Sequence, residues 1–371
     1  MYLAIGASPL IICHFVCLLV CYFLTSFFGA LVILLPLLPL MIFPVTEKFG
    51  KWVADKFIFL WKLFAVAMYE VCIGIKVIIQ GEDNPHCSNG NLIILNHRTR
   101  LDWLFLMSYQ IRYASLQQFV ISLKAPLKYI PGPGWAMQCG AFLFLQRKWE
   151  LDRLWMTKCI QYFQRIDYKP QLLIFPEGTD FTDYAKARSD AYAEKMAVKK
   201  YSYVLHPRTT GFVHLVTEMK KSNCLDALVD VTVGYPKFIL HDERDIIYGQ
   251  FPEEIHFFVQ TYNISDLPSD SESIAEWCQK RWAEKEKRLE EYYTCNKKSF
   301  PCENNKLHCD EGTIRIYLYL SLAFWLSFLI LVLFSLVYVW YFKWYCVLAI
   351  CIFSCIQFFK GGVDDILFSS S

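Results

Sequence analysis

Charge of either sign is scarce in this sequence, and neither sign is in excess. Charged residues make up 19% of the 371 residues, and the formal net charge at pH 7 is +2. A nucleic-acid-binding domain usually carries a clustered basic surface and a high isoelectric point. The charge balance argues against that class, and we expect no nucleic-acid partner. Internal repeats and low-complexity tracts are absent too, which excludes an array of repeated units.

Metal-ligand spacing is also lacking, although cysteine is not. The chain has 15 cysteines, and many lie in apolar runs, where cysteine behaves as a small hydrophobe. Cys295, Cys302 and Cys309 recur every seven residues, with His308 as a further possible ligand. Zinc ligands usually pair about two to four residues apart. We therefore expect a polar connecting segment here, and no metal in the chain.

Two segments lack charge over lengths that match a membrane. Pro9–Phe43 contains no charged residue and exceeds the about 20 apolar residues of a spanning helix. Prolines near its end interrupt the helix, so we predict one span followed by an interfacial segment, or a re-entrant hairpin. Ile316–Phe342 is likewise uncharged and is followed by the shorter run Trp344–Phe359. The prediction here is a membrane hairpin, with one span plus an interfacial helix as the alternative.

The apolar segment Phe57–Ile79 differs from these two because charge interrupts it. Lys56, Lys62, Glu70 and Lys76 fall within one arc of about 160° if the segment is helical. Such an arc suits a helix that lies in the membrane interface. A helix packed on the soluble domain is the alternative.

Residues 81–295 alternate between short apolar runs and charged segments of helix length. The alternation predicts an α/β fold, a mixed sheet with flanking helices, with membrane helices at both ends of the chain. The charged segment Ser273–Tyr293 is predicted to be a solvated surface helix. The predicted organisation is a membrane span and interfacial helix in 1–80, a catalytic domain in 81–295, a polar connector in 296–313 and a membrane hairpin in 314–371. The runs expected to form strands are Leu92–Leu95, Phe119–Leu123, Phe142–Leu145, Leu172–Phe175, Tyr203–Leu205, Val231–Tyr235 and Ile255–Val259.

The sharpest local pattern is NHRTRLDW, residues 96–103, directly after the apolar run LIIL. A strand ending at Asn96 places His97 in the following loop, and a helix starting near Thr99 presents Asp102 in its first turn. A carboxylate on one ring nitrogen fixes the imidazole tautomer and leaves the other nitrogen as a base, which acyl transfer to a hydroxyl requires. The structural alternative is that His97 caps the helix while Asp102 pairs with an arginine of the motif.

Further polar residues follow other apolar runs. In FPEGT, residues 175–179, Gly178 allows close backbone approach, and its N–H can face a phosphate or an oxyanion. Glu177 is either a substrate contact or a helix cap. Arg147 ends another run, and its guanidinium can bind phosphate bidentately; the alternative is that Arg147 and Lys148 are a surface pair on the next helix. The sequence HPRTTG offers Arg208 in a similar position.

The order of these blocks resembles the glycerophospholipid acyltransferase family, in which H-x4-D, F-x-x-R and F-P-E-G blocks follow one another. Here they are His97/Asp102, Phe144/Arg147 and Phe175–Gly178. The resemblance is closest to the lysocardiolipin acyltransferase branch, and it covers about residues 90–290 and a similar C-terminal membrane region. The stretches that carry it are NHRTRLDW, KAPLKYIPGPGWAMQ (124–138), RKWE (147–150), LLIFPEGTD (172–180), YVLHPRTTGF (203–212), FPEEIHF (251–257) and KRWAEKE (280–286).

This resemblance implies an acyl-CoA-dependent transfer to the hydroxyl of a lysophospholipid, of lysocardiolipin, lysophosphatidylinositol or lysophosphatidylglycerol type. His97 would be the general base, Asp102 would orient it, and Val231–Pro236 would lie near the acyl-CoA or acyl-chain path. Acyl-CoA is a co-substrate that brings an activated acyl group, so we expect no cofactor, no metal and no acyl-enzyme. The residues expected to bind the acceptor are Arg147, Glu177, Gly178, Thr179 and Arg208.

Asp180 departs from the family pattern, because many phosphatidic-acid-forming members carry Arg at that place. The missing cation weakens the case for lysophosphatidic acid as the principal acceptor. Lysophosphatidic acid acyltransferase is nevertheless the alternative enzyme. A catalytically inactive lipid-binding membrane protein is the alternative from another class, and the intact His97, Asp102, Arg147 and Glu177 argue against it.

Topology follows from the implied substrate. Because acyl-CoA is cytosolic, we expect the 90–290 domain on the cytosolic face of a multi-pass protein. Lysines after the first apolar segment agree with that orientation. The sequon Asn263-Ile-Ser should then stay unglycosylated. The resemblance implies the endoplasmic reticulum membrane, with the lipid bilayer as a partner.

Overall fold

A computed structural model gives the structure of the chain. Its residues divide into two compact units. The first combines the described parts of Met1–Cys72, Leu116–Tyr168 and Glu311–Ser371, and the second those of Ile73–Ser115 and Lys169–Asp310. The domain limits predicted from the sequence stay predictions. The described residues are 9–81, 90–240, 245, 248–300 and 309–369.

The strands largely coincide with the apolar runs, and six of the seven runs expected to form strands do so. The strand that precedes them was not expected, since its residues lie at the end of the segment predicted as an interfacial helix. In the described residues the strands are β1 (Lys76–Gly81), β2 (Asn91–Leu95), β3 (Phe119–Lys124), β4 (Leu143–Leu145), β5 (Gln171–Ile174), β6 (Ala227–Gly234) and β7 (Glu254–Asn263).

Helices occupy most of the remaining described chain. π-helical turns follow two of them, at Ala30–Leu34 and Met68–Ile73. The helices are α1 (Pro9–Gly29), α2 (Leu35–Ile42), α3 (Glu47–Ala67), α4 (Asp102–Phe105), α5 (Met107–Tyr113), α6 (Pro133–Cys139), α7 (Trp149–Arg165), α8 (Asp183–Lys195), α9 (Thr209–Lys221), α10 (Ser271–Thr294), α11 (Glu311–Tyr338), α12 (Trp340–Lys360) and α13 (Val363–Ser369).

The second unit is built on a mixed sheet, which confirms the predicted fold class. Its strand order is β1-β7-β6-β2-β5. Strand β2 runs parallel to β5 and β6, β1 runs parallel to β7, and β6 and β7 are antiparallel. The carboxyl ends of β2, β5 and β6 therefore lie at one edge of the sheet, which is where ligands usually bind in α/β proteins.

Helix α10 covers part of this sheet, so the predicted solvated surface helix is exposed only on its outer face. It packs on α9 and β6, and Trp282 and Lys285 on its inner face are fully buried. The Lys285 ammonium pairs with the carboxylate of Asp230 and donates to the carbonyl of Val231, both in β6. Burying the charge is tolerated because both ions have partners. The pattern of many charges thus predicted a surface helix but not its buried, charged inner face.

The run Tyr203–Leu205 is the one predicted strand that does not form. Its segment has no regular secondary structure. The buried carboxylate of Glu286, on α10, accepts the N–H groups of Tyr203 and Val204 at 2.9 and 3.2 Å. A side chain thus satisfies backbone donors that a neighbouring strand would otherwise satisfy.

The first unit contains three helical segments that are long and apolar enough to cross a membrane: Val16–Ile42, Glu311–Tyr338 and Trp340–Lys360. They confirm the predicted membrane helices near both termini. The N-terminal segment is helical throughout, from α1 through the π-helical turn to α2. Its prolines do not fold it back into a re-entrant hairpin.

Helix α3 corrects the interfacial helix predicted over Phe57–Ile79. The helix begins ten residues earlier, at Glu47, and the predicted segment ends in β1. Lys62 is buried and donates to the carbonyls of Leu116 and Phe119 at 3.1 and 2.6 Å, and its burial lowers the pKa of the ammonium to about 7. For this lysine the alternative, a helix packed on the soluble domain, is the correct description, because Leu116 and Phe119 lie in the segment predicted as that domain.

Candidate active site

The edge of the sheet is organised by the side chain of Asn96, the residue after β2. Its amide donates to the carbonyl of Val233 at 3.2 Å and accepts the Val233 N–H at 2.8 Å. Beyond the end of β2, the side-chain amide of Asn96 thus makes the two hydrogen bonds with β6 that a backbone residue would otherwise make. The backbone of His97 is then free to leave the sheet, as the sequence predicted.

Asp102 is the first residue of α4 and is fully buried. Its Oδ2 lies 3.0 Å from His97 Nδ1 and accepts the N–H groups of Arg98 and Thr99 at 2.6 and 2.8 Å. Its Oδ1 accepts the hydroxyl of Tyr235 at 2.5 Å. An oxygen that already accepts two N–H groups acts as an acceptor towards the imidazole, so Nδ1 carries the hydrogen and Nε2 keeps its lone pair.

The alternative pairing of Asp102 with an arginine of the motif does not occur. Arg100 forms an ion pair with Asp180, with Nε and Oδ2 3.4 Å apart. Arg98 reaches Asp102 only through its backbone N–H, and its guanidinium lies over the ring of Phe181, 4.3 Å from the ring centroid. The carboxylate thus bonds the histidine, the turn that carries it and the Tyr235 hydroxyl, and no arginine side chain of the motif.

Tyr235 is a contributor that sequence reasoning did not single out. It follows β6 directly, is buried, and has its own N–H bonded to the hydroxyl of Tyr293 at 3.1 Å. Burial, and then the charge of Asp102, hold the pKa of the Tyr235 phenol well above its usual range. The hydroxyl therefore stays protonated and donates to the carboxylate.

The imidazole of His97 is also fixed from its face. It stacks on Phe175, the residue after β5, with ring centroids 4.1 Å apart and planes 26° apart. The Phe181 N–H donates to the His97 carbonyl at 2.8 Å. The side chain of His97 remains 14% exposed, so the fixed ring is open to a ligand.

The FPEG segment forms a tight turn beside this histidine. Gly178 has a left-handed backbone with φ of 74°, a conformation that glycine adopts without strain. Its N–H donates to the Phe175 carbonyl at 2.9 Å and so is not the free anion donor that the sequence indicated. Gly178 and Arg208 are both exposed, and the Arg208 side chain passes 3.4 Å from the place of a Cβ on Gly178. Thr179 is half-buried beside them.

Glu177 points into the protein from the same turn. Its carboxyl is buried, and Oε1 accepts the His97 N–H at 3.3 Å and the indole N–H of Trp282 at 3.1 Å. Burial raises the pKa of Glu177 to about 8, against the opposing effect of those hydrogen bonds. Neither alternative drawn from the sequence, a substrate contact or a helix cap, anticipated this contact with the histidine backbone.

Comparison with known proteins shows which family the chain belongs to. The family model described as Acyltransferase matches residues 76–235, and the model described as Acyltransferase C-terminus matches residues 245–325. Lysocardiolipin acyltransferase 1 of Danio rerio is 41% identical over 366 residues, 94% of each chain. That of Gallus gallus is 42% identical over 93% of this chain and 91% of its own. The chain belongs to the acyltransferase family.

More distant relatives carry related names. Lysophosphatidylinositol acyltransferase 10 of Caenorhabditis elegans is 34% identical to this acyltransferase, over 74% of this chain and 70% of its own. The crystal structure of the 1-acyl-sn-glycerophosphate acyltransferase PlsC from Thermotoga maritima superimposes with a TM-score of 0.44 and 17% identity, covering 75% of this chain and 95% of that one.

Not every predicted site residue of the acyltransferase lies in the second unit. His97, Asp102 and Glu177 are in contact there, and Gly178 and Arg208 are neighbours. Arg147 belongs to the first unit, where it lies exposed between β4 and α7 with a left-handed φ of 63°.

No metal site is visible in the described part of the chain, where no group of His, Cys, Asp and Glu is placed to hold an ion. Cys302 and His308, two members of the considered cysteine–histidine group, lie outside the described residues.

The hydroxyl of Tyr235 can be removed without changing the shape of its ring. We expect Tyr235→Phe to lower kcat about tenfold, because a charge-assisted hydrogen bond of about 1.5–3 kcal/mol to Asp102 is lost. Steady-state kinetics of acyl transfer by the purified variant measures this. Tyr292→Phe is the matched control, because it removes a buried hydroxyl that bonds His256 at 3.1 Å instead. Equal kcat values for the two variants would contradict the assignment.

Proposed function

We propose that this acyltransferase esterifies the free hydroxyl of a lysophospholipid with the acyl group of acyl-CoA, with His97 as the general base. The observation that supports the proposal most is the state of Asp102. Its carboxylate accepts from His97 Nδ1 and from three other donors, which leaves Nε2 as the basic nitrogen on a partly exposed ring.

The proposed reaction follows from that nitrogen. Nε2 of His97 takes the proton of the acceptor hydroxyl as its oxygen attacks the thioester carbonyl. The tetrahedral intermediate then collapses, the carbon–sulfur bond breaks, and the proton on Nε2 passes to the leaving CoA sulfur. Asp102 stabilises the transient imidazolium. The thioester is already activated, so this route uses neither a metal nor an acyl-enzyme.

The acceptor is proposed to bind through its phosphate. Arg208 is exposed beside Gly178 on the surface of the FPEG turn, and a guanidinium there can bind a phosphate group bidentately. The roles proposed for Arg147 and Thr179 rest on the family resemblance alone. Relatives named for lysocardiolipin and lysophosphatidylinositol favour acceptors of those types. Lysophosphatidic acid is the second candidate, on the strength of more distant relatives named for it.

The candidate membrane helices and the two proposed substrates together support a proposal for where the protein resides in the cell. The three candidate spans would hold the protein in the bilayer that contains the lipid acceptor, whereas acyl-CoA is soluble in the cytosol. We propose a multi-pass protein of the endoplasmic reticulum membrane, with the active site on the cytosolic side.

A panel of lysophospholipids with labelled acyl-CoA tests the function on the purified full chain. We expect transfer to lysocardiolipin, lysophosphatidylinositol or lysophosphatidylglycerol in preference to lysophosphatidic acid. His97→Ala should lower kcat by about a hundredfold or more, because the general base is lost. His214→Ala, on α9, is the control and should keep wild-type activity. Undiminished transfer by His97→Ala would refute the mechanism, and preference for lysophosphatidic acid would select the second candidate.

Glycosylation of Asn263 reports the proposed orientation. Asn263 is the last residue of β7 and is exposed, so burial would not prevent modification of its sequon. On the cytosolic side it should carry no glycan. The measurement is the electrophoretic mobility of protein from a eukaryotic host before and after glycosidase treatment. A shift that Asn263→Gln abolishes would place the domain in the lumen, away from acyl-CoA.

A further inference from the structure

Helix α10 reaches the catalytic turn through a chain of two hydrogen bonds. The indole N–H of the fully buried Trp282 donates to Glu177 Oε1 at 3.1 Å, and the same oxygen accepts the backbone N–H of His97 at 3.3 Å. In the sequence, Glu177 is 105 positions from Trp282 and 80 positions from His97. One carboxyl oxygen therefore joins a distant helix to the backbone of the proposed base.

The helix that carries Trp282 is itself fixed on the sheet. Lys285 lies one turn further along and contacts Asp230 and Val231 of β6. One turn beyond it, Arg288 donates to the Thr232 hydroxyl at 2.8 Å. Strand β6 also leads into the tyrosine that bonds Asp102. The helix that carries the Trp282 indole is thus fixed to β6, the strand that also positions Tyr235 against Asp102.

We infer that Trp282 is a positioning residue for His97 and acts through Glu177. The inference rests on the proposed function of His97. By fixing the His97 amide, the chain of bonds keeps Nδ1 facing Asp102 and Nε2 facing the acceptor. A displacement of catalytic groups by about 1 Å lowers reaction rates markedly, so a loosened amide lowers kcat without weakening substrate binding.

The protonation of Glu177 gives this role a second signature. Burial raises the pKa of its carboxyl to about 8, and the Trp282 hydrogen bond opposes that rise. Near neutral pH the carboxyl is largely protonated, and its carbonyl oxygen still accepts both N–H groups. The folded-state pKa lies above the usual value of 4.5, so the folded state binds the extra proton. Stability associated with Glu177 is then fully present below about pH 4.5 and is lost progressively as pH rises from there through about 8.

The test compares two tryptophans of the same helix. Trp282→Phe keeps an aromatic ring but removes the N–H donor. We expect kcat to fall about tenfold with the KM for acyl-CoA unchanged. The pH range over which stability is lost should extend to higher pH, because Glu177 loses a bond that lowers its pKa. Trp277→Phe is the control: Trp277 is half-buried and stacks on Phe212, with ring centroids 6.0 Å apart. It should stay within twofold of wild type.

The inference would be overturned if Trp282→Phe matched Trp277→Phe both in kcat and in the pH dependence of thermal stability. If His97→Ala is inactive in the same assay, the proposed function stands despite that result. If wild-type protein transfers no acyl group to any lysophospholipid, the proposed function fails first. The two failures are therefore distinguishable.

Glu177 variants keep the inference testable if Trp282→Phe does not fold. Glu177→Gln retains an oxygen that accepts both N–H groups and cannot ionise, whereas Glu177→Ala loses the acceptor. We expect the glutamine variant to keep at least tenfold more kcat than the alanine variant and to lack the loss of stability that accompanies ionisation of Glu177. Equal loss in both variants, measured on protein of matched thermal stability, would contradict the positioning role.

Discussion

The carboxylate of Asp102 is the constraint on which the site depends. It is fully buried and accepts four hydrogen bonds, from the His97 ring, the backbone of the same turn and the Tyr235 hydroxyl. A buried carboxylate is stable only when such donors surround it. The donors come from the ends of β2 and β6, and the parallel pairing of these strands brings them to one edge. The sheet topology is therefore what makes the charge tolerable and the imidazole basic.

Further contacts hold the histidine by the face of its ring and by its backbone. The FPEG turn supplies a ring under the imidazole and a carboxyl oxygen to its backbone N–H. Helix α10 then supports that carboxyl through Trp282. This arrangement explains why a helix far along the chain belongs to the catalytic unit. Its buried charges, above all Lys285, which pairs with Asp230 of β6, hold the helix on the sheet.

Much of this site could be predicted from the sequence because its signals are local. Short apolar runs marked six strands, and the spacing of His97 and Asp102 placed both in one turn. Tyr235 and Trp282 carry no comparable signal, since they meet their partners across 133 and 105 residues. The buried inner face of helix α10 was not predicted for the same reason: the partners that neutralise its charges are distant in sequence. Membrane segments were predictable from the length of their uncharged runs, whereas the buried Lys62 of α3 was not.

The tautomer of His97 tests this account most directly. Nitrogen NMR of the protein labelled at histidine, with His97→Ala to assign the signals, distinguishes a protonated from an unprotonated ring nitrogen. In the neutral imidazole, we predict that Nδ1 carries the hydrogen and that Nε2 shows the shift of an unprotonated nitrogen. A neutral His97 with its hydrogen on Nε2 would show that Asp102 does not set the base, and would contradict the central claim.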